Sequence, residues 1–207
     1  MSLCDEDNQQ ETEVIVKMLD EFKDIVDPRD LPRRKKELIY YLVGFTAGEG
    51  CFSVALKKQR SARFGWVLDP VFHITQHKKN KLILEIILRT FKCGRIIEKH
   101  GQTDTLQFIV DNRRQLAEKI VPLFNKYKLL IRSDDFKLFE DIVISLEQKE
   151  HQNIQTFKKM IEKAYKMNFM GKQRRYKIED VMKDLEKYTL GFLRGHTPDV
   201  LENVLER

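Results

Sequence analysis

Apolar side chains recur along the chain with two spacings, and the change between them marks the predicted elements. Alternating apolar and polar residues predict four strands, at residues 52–59, 67–76, 95–100 and 105–110. Apolar residues three and four apart predict helices, at residues 14–26, 37–49, 81–91, 112–124 and 133–146 and twice within 151–188. We therefore predict an α+β fold with a ββαββα core, in which four antiparallel strands lie on a helical layer and leave one sheet face free.

The length of 207 residues suits one folded core with appendages. The segment from Pro28 to Lys36 contains two prolines and ends in four consecutive basic residues, which is typical of a linker. We therefore divide the chain into an N-terminal helix and basic linker at 1–36, a core at 37–150 and a helical extension at 151–207. A short tail helix is expected in the last dozen residues.

Charge is distributed very unevenly along the chain. The net charge of the whole sequence is +6, but residues 1–27 carry −7 and residues 33–101 carry +10. Such a concentrated basic stretch favours an anionic partner, either nucleic acid or an acidic membrane face. The simpler alternative is a charged surface that only contacts water.

Several classes of protein are disfavoured by the sequence. No apolar run approaches the length of about 18–20 residues that a membrane-spanning helix needs. The acidic N-terminus is unlike a signal or transit peptide, so we expect a soluble protein that is not secreted. The three cysteines, Cys4, Cys51 and Cys93, lack the spacing of a zinc site and are expected to be free thiols.

The segment Leu42 to Gly50, LVGFTAGEG, breaks two rules of helix composition. Glycine is about 1 kcal/mol less favourable than alanine within a helix, yet Gly44 and Gly48 lie four apart on one face, where they would let another helix approach closely. Glu49 places a carboxylate at the negative end of the helix dipole. If two such helices pack together, two Glu49 carboxylates meet and need cations such as Mg²⁺, which can activate water at a phosphodiester. The alternative is a surface glutamate after a glycine-rich helix end.

This segment resembles the LAGLIDADG motif of the homing endonucleases, with Glu49 at the position of the acid that binds metal in that family. The resemblance continues through Asp69-Pro70, Thr75-Gln76-His77 and the stretch from Phe91 to Ile96, and covers roughly residues 37–146. One acid-bearing motif is present, since the second match at 190–196 lacks the acid and is taken as coincidence. The chain therefore most resembles the single-motif, homodimeric type, and in particular a member encoded in a chloroplast large-subunit ribosomal RNA intron of a green alga.

The resemblance implies a role for particular residues. Metal would bind at Glu49 and Gly48, and Gln76 would order water beside them. The basic group of the active site would be Lys78, Lys79 or Arg132, and we select Lys79 and Arg132. The two copies of the chain would meet through Leu42, Gly44, Phe45 and Gly48.

The resemblance also implies a saddle-shaped sheet in the DNA major groove and cleavage of both strands across the minor groove, which leaves short 3′ overhangs. The strand pattern agrees, because the residues opposite the apolar set are mostly polar or basic and suited to base edges and phosphates. The predicted DNA contacts are Ser53, Ala55, Lys57, Gln59, Arg60, Arg63, His73, Thr75, His77, Lys78, Arg95, Lys99, Thr105 and Gln107. His77 could instead act as a general base, although a DNA contact or a structural role is favoured.

We therefore expect a homodimeric, Mg²⁺-dependent endonuclease that cuts a long DNA target, with a ribosomal RNA gene the natural candidate, and so promotes intron mobility. Two alternatives use the same scaffold: a maturase that binds intron RNA, and a catalytically silent DNA-binding regulator. A generic basic α+β binding module is a third. The expected location is a chloroplast, a mitochondrion or a microbial cytoplasm.

Overall fold

The structure, a computed structural model, describes residues 31–170 and 174–193. The helices of this part are α1 (Leu31–Glu49), α2 (Lys81–Phe91), α3 (Arg113–Gln115), α4 (Val121–Lys126), α5 (Ser133–Glu147), α6 (Ile154–Met170) and α7 (Ile178–Leu193). The strands are β1 (Gly50–Lys58), β2 (Trp66–His77), β3 (Arg95–Glu98) and β4 (Thr105–Val110). The predicted helix at 14–26 and the predicted tail helix lie outside the described residues.

The four strands form one sheet in the order β1-β2-β4-β3. Strand β4 pairs antiparallel with β2, where Thr75 lies opposite Gln107, and with β3, where Ile96 lies opposite Phe108. Even-numbered residues are buried in β1 as far as Leu56, in β2 as far as Ile74 and throughout β4, and the odd-numbered ones between them are more open. The predicted α+β class and the strand order along the chain are confirmed.

The chain divides into two compact units that interleave in sequence. The first consists of residues up to Cys51 together with Phe72–Ser133, and the second of Phe52–Val71 together with the residues from Asp134 onwards. The domain boundaries predicted at residues 36 and 150 divide the chain into consecutive segments. They stay a prediction.

Each unit has its own aromatic core. In the first unit Phe72 is fully buried, and its ring lies 5.6–6.4 Å from those of Phe91, Phe108 and Phe124. In the second unit the ring of Phe52 lies 5.3 Å from Phe136 and from Phe139. Such edge-on contacts add roughly 0.5–1.5 kcal/mol per pair to the burial of the rings. In the first unit, the alternation of apolar residues along β2 and β4 brings the rings of Phe72 and Phe108 to the same face of the paired strands.

Two helices differ from the sequence expectation. The segment assigned to the basic linker is helical from Leu31. Pro32 lies in the first turn of this helix, where a missing N–H costs nothing, and the basic residues after it are good helix formers.

The helix predicted over 112–124 is capped by Asn112, whose side chain accepts from the backbone N–H of Gln115. A π-helical turn at Leu116–Ile120 interrupts it, since the ring of Pro122 and its missing N–H disturb the preceding turn.

Within the described residues no helix has the length and apolar character needed to cross a bilayer. Cys51 is half-buried and Cys93 is buried, and both are thiols, as expected for these two of the three cysteines. Burial raises the pKa of the Cys93 thiol to about 11, so this thiol is protonated and unreactive at neutral pH.

Candidate active site

The second half of α1 presents two distinct faces. Leu42, Val43, Thr46 and Ala47 are buried within the chain, whereas Tyr41, Gly44, Gly48 and Glu49 are exposed. A Cβ atom added at Gly44 or at Gly48 would meet nothing within 4 Å. The backbone of the helix is therefore open along the line of its two glycines.

Leu42 was predicted to lie at the contact between two copies, and this expectation does not fit the structure. Leu42 has no exposed surface, because it lies on the opposite side of α1 from the two glycines and packs into the chain's own core. The neighbouring Phe45 is half-buried and its ring stacks on Tyr41 at 6.5 Å, so it remains on the open face.

Glu49 is the last residue of α1 and is exposed. The chain turns directly into β1 at Gly50, where a Cβ would stand 2.5 Å from the backbone oxygen of Thr46, so only glycine fits. The carboxylate of Glu49 thus stands at the negative end of a helix, in an unfavourable field that a cation would relieve.

Arg132 reaches the same helix end from the segment between α4 and α5. Its Nε donates to the carbonyl oxygen of Ala47 at 2.9 Å and its Nη2 to that of Gly48 at 3.3 Å. These carbonyls belong to the last turn, which has no partners within the helix. Arg132 has a left-handed backbone with φ of 61°, a conformation of about 1–3 kcal/mol cost that often marks functional sites. Arg132, one of the predicted basic groups of the active site, therefore lies in direct contact with the end of α1, and its catalytic role stays a prediction.

The donors at this end of α1 are hard oxygens, a carboxylate and a backbone carbonyl, which suit Mg²⁺. The Gly48 carbonyl already accepts from Arg132, but a carbonyl oxygen has two lone pairs and can also bind a metal ion. Among the described residues, no group of three or more His, Cys, Asp or Glu side chains could hold a metal ion. In this part of the chain, the end of α1 thus offers one carboxylate and one backbone carbonyl as candidate ligands.

The end of β2 carries the other predicted catalytic groups. Gln76 accepts from the Nδ2 of Asn80 at 3.0 Å, and Lys78 pairs with Glu98 at 2.6 Å. Lys79 is exposed, and its backbone N–H donates to the Nδ1 of His77 at 3.1 Å. His77 thus caps the 3₁₀ turn Lys78–Asn80, which favours the structural role over that of a general base.

The open face of the first unit carries polar groups on β2 and β4. Gln107 donates from Nε2 to the hydroxyl of Thr75 at 3.2 Å across the strand pair. Burial and, second, the charge of Lys99 lower the pKa of His73, so its imidazole is neutral at pH 7. Thr105, opposite His77 in the register, belongs to the same set. These side chains can donate to and accept from base edges.

Arg95 was predicted to contact DNA, and the structure gives it a partner within the chain. Its two terminal nitrogens each lie 2.7 Å from a carboxylate oxygen of Asp111, and this hydrogen-bonded pair raises the pKa of Arg95. A contact with phosphate would have to share this guanidinium with Asp111.

The open face of the second unit ends in the hairpin loop, residues 59–65, which joins β1 to β2. Lys57 pairs with Asp69, and Lys58 lies 3.7 Å from Asp184. Ser53 is bonded to the backbone of β2, and Ala55 is exposed beside it. Gln59, Arg60 and Arg63 are exposed on the loop. The predicted phosphate contacts are therefore accessible, although two of the lysines are held by acidic side chains.

Sequence reasoning missed two features of these elements. Leu130 and Ile131, just before Arg132, are 96% and 58% exposed, which is unusual for large apolar side chains. Asp184 contacts Trp66, 118 residues away. The exposure of Leu130 and Ile131 could have been suspected from their place in a loop. The contact between Asp184 and Trp66 could not, because it produces no pattern in the sequence near either residue.

The comparisons with known proteins agree with this geometry. The family model for LAGLIDADG endonuclease matches residues 42–143. DNA endonuclease I-CeuI from Chlamydomonas moewusii is 38% identical over 95 residues, which is 46% of this chain and 44% of that protein. Homing endonuclease I-ApeII from Aeropyrum pernix is 28% identical over 147 residues, 69% of this chain and 87% of that one. The match thus spans less than half the length of I-CeuI.

A solved structure extends the likeness to the whole of a relative. The archaeal intron-encoded homing endonuclease I-Vdi141I, complexed with DNA, superposes with a TM-score of 0.70 and 36% identity over 75% of this chain and 99% of its own. The chain belongs to the LAGLIDADG endonuclease family, which confirms the prediction made from residues 42–50. The class of enzyme is that of a DNA endonuclease.

The neutral form of His73 predicts a pH dependence of stability. Because its pKa is lower in the folded than in the unfolded chain, the unfolded chain binds more protons below the ordinary value of about 6.5. Wild type should therefore lose stability relative to His73→Gln as the pH falls from about 6.5 towards 5. Melting temperatures measured between pH 8 and 5 check this, and Lys99→Gln should make the loss smaller. A constant difference between wild type and His73→Gln would contradict the burial argument.

Proposed function

We propose that the protein is a homing endonuclease that makes a double-strand break in a long DNA target, by Mg²⁺-dependent hydrolysis, as a homodimer. The observation that carries this proposal is the end of α1, where exposed Glu49 follows a helix face opened by two glycines. Membership of the family supports the class of reaction, and the intron-encoded relative complexed with DNA supports the substrate.

A second copy of the chain is the partner that the α1 face fits. Gly44 and Gly48 leave room for another helix backbone, and the exposed Tyr41 with half-buried Phe45 supplies apolar surface beside them. With one motif per chain, a two-fold axis through this face brings two Glu49 carboxylates together. Leu130 and Ile131 are exposed and directly precede Arg132, which binds the end of α1. We therefore include both residues in the proposed contact between the two copies.

The proposed chemistry divides between metal and side chains. Glu49 and the Gly48 carbonyl would hold Mg²⁺, which when bound activates water and stabilises the leaving oxygen of a phosphodiester. Arg132, held on the Ala47 carbonyl, places a fixed positive charge where negative charge develops on the phosphate. Gln76, with its side chain steadied by Asn80, would orient water. Lys79 remains a candidate for a second cationic contact.

DNA would lie on the open sheet faces. His73, Thr75, Thr105 and Gln107 offer donors and acceptors for base edges, and the basic residues of β1 and the hairpin loop suit phosphates. The target itself is proposed from the family's intron relationship, which makes a ribosomal RNA gene the first sequence to test. An organelle or a microbial cytoplasm is the corresponding location, and intron RNA as a second partner stays a prediction.

Replacing Glu49 by Gln tests the catalytic role. Glu49→Gln keeps the size of the side chain but removes the charge that would hold Mg²⁺, so cleavage should fall by at least about a thousandfold while target affinity stays near that of wild type. Cleavage of target DNA with Mg²⁺ and binding with Ca²⁺ are measured side by side, together with precursor RNA as an alternative substrate.

Glu147→Gln is the matched control, because Glu147 is also an exposed last residue of a helix and should leave cleavage unchanged. A Glu49→Gln protein that cuts at the wild-type rate would contradict the mechanism. Processing of precursor RNA without cleavage of DNA would favour the maturase.

A bulky residue on the open helix face tests the dimer. A Cβ at Gly44 meets no atom of the described residues within 4 Å, so the fold and melting temperature of a single copy should survive Gly44→Leu, but the close approach of a second α1 should not. Sedimentation should change from dimer to monomer, and cleavage should be lost with it. Glu147→Leu, which adds the same apolar group on another helix, should remain dimeric. A Gly44→Leu protein that is still an active dimer would refute the proposed contact.

A further inference from the structure

The C-terminal helix α7 is fastened to the base of the hairpin loop by one acidic residue. The indole Nε1 of Trp66 donates to the Oδ2 of Asp184 at 2.9 Å, and the Nζ of Lys58 lies 3.7 Å from the same oxygen. Lys58 also lies 5.3 Å from the centre of the Trp66 ring. Although burial alone would raise it, hydrogen bonds from Lys187 and Trp66 and the charge of Lys58 hold the pKa of Asp184 below its ordinary value. Asp184 is therefore charged and joins both ends of the hairpin.

Aromatic contacts surround this bond on the same side of the hairpin. The Phe64 ring lies 6.0 Å from that of Tyr188, and Trp66 meets the edge of Tyr176 at 4.9 Å. Gly65 has a φ of +70°, and a Cβ there would stand 2.8 Å from the Tyr188 hydroxyl. The loop thus rests directly against residues 176–188.

A half-buried arginine ties the start of this segment to β1. Arg174 donates from Nη1 to the backbone oxygen of Val54 at 2.7 Å and from Nη2 to that of Ala164. Its guanidinium lies 4.7 Å from the centre of the Tyr165 ring, and the Tyr165 hydroxyl donates to the backbone oxygen of Tyr176 at 2.7 Å. Residues 174–188 therefore contact the strand, the loop and the helix behind them.

The placement of Asp184 is unexpected beside a surface that should attract phosphate. An acidic side chain here neutralises Lys58 and weakens the field of the loop, so electrostatics alone disfavours it. Fixing the loop before DNA arrives removes part of the entropy that binding would otherwise lose.

We propose that residues 174–188 are a brace that holds the hairpin loop in its DNA-binding position, with Asp184 as the positioning residue. The inference rests on the proposed function, because it assumes that the loop contacts DNA. The brace is separate from the motif helix: it acts on affinity and on discrimination between sequences, and it leaves the chemical step unchanged.

Asp184 carries a negative charge and accepts a hydrogen bond from Trp66. Two substitutions with opposite expected effects on DNA affinity separate these roles. Asp184→Ala removes both the charge and the bond to Trp66, and the target affinity should fall about tenfold. Asp184→Asn keeps an oxygen that accepts from Trp66 but removes the charge, so the affinity should equal or exceed that of wild type. Glu186→Ala, an exposed acid on the same helix, is the matched control and should not weaken binding.

Trp66 provides an independent readout, because it is the single tryptophan of the chain. Its fluorescence without DNA should change in Asp184→Ala and stay close to wild type in Asp184→Asn. The dissociation constants for target and unrelated duplexes are measured at one salt concentration. Single-turnover cleavage at saturating enzyme is measured alongside and should stay within about twofold of wild type, because only chemistry is then observed.

Unchanged affinity of Asp184→Ala despite altered Trp66 fluorescence would overturn the inference, and so would a tenfold loss in Asp184→Asn. If Asp184→Ala does not fold, Trp66→Phe replaces it: this change removes the indole N–H donor together with part of the ring, and it should lower the affinity in the same direction. Wild-type protein that neither binds nor cuts DNA would instead refute the proposed function, so the two failures are distinguishable.

Discussion

A carboxylate at the negative end of a helix is the constraint on which the rest of this structure depends. Glu49 ends α1 and is exposed, and the chain can turn away after it only because Gly50 has no Cβ. The field of the helix and a second carboxylate across a two-fold axis would both oppose this charge. Cations therefore have to be present for the arrangement to be stable, and Arg132 on the Ala47 carbonyl is the cation that the chain itself provides.

Each unit also contains contacts that hold its own strands in place. The aromatic core around Phe72 fixes β2 and β4, and the open sides of those strands carry the polar groups that suit DNA. In the second unit, Arg174 and Asp184 hold the hairpin that carries the basic loop. Under the proposed function, different residues would serve DNA affinity and chemistry, so each could be altered without the other.

The sequence predicted the parts of this architecture that follow from local pattern. The alternation of apolar and polar residues predicted the buried face of the strands correctly. Because successive side chains of a strand point to opposite faces, every second residue lies on the buried face once Phe72 and Ile74 do. The motif identified Glu49 and the glycine face, but it did not reveal that Leu42 points into the chain's own core. The π turn before Pro122 and the bond between Trp66 and Asp184 depend on three-dimensional packing, so periodicity and spacing carried no sign of them.

The central claim is that two copies of the chain each supply one Glu49 to a shared cleavage site. The most direct measurement is the cleavage pattern of a purified mixed dimer, in which one chain is wild type and the other carries Glu49→Gln. The account predicts that this dimer binds the target and makes no double-strand break, with any cleavage confined to one strand. Double-strand cleavage at the wild-type rate would contradict it, because one chain would then be sufficient for both cuts.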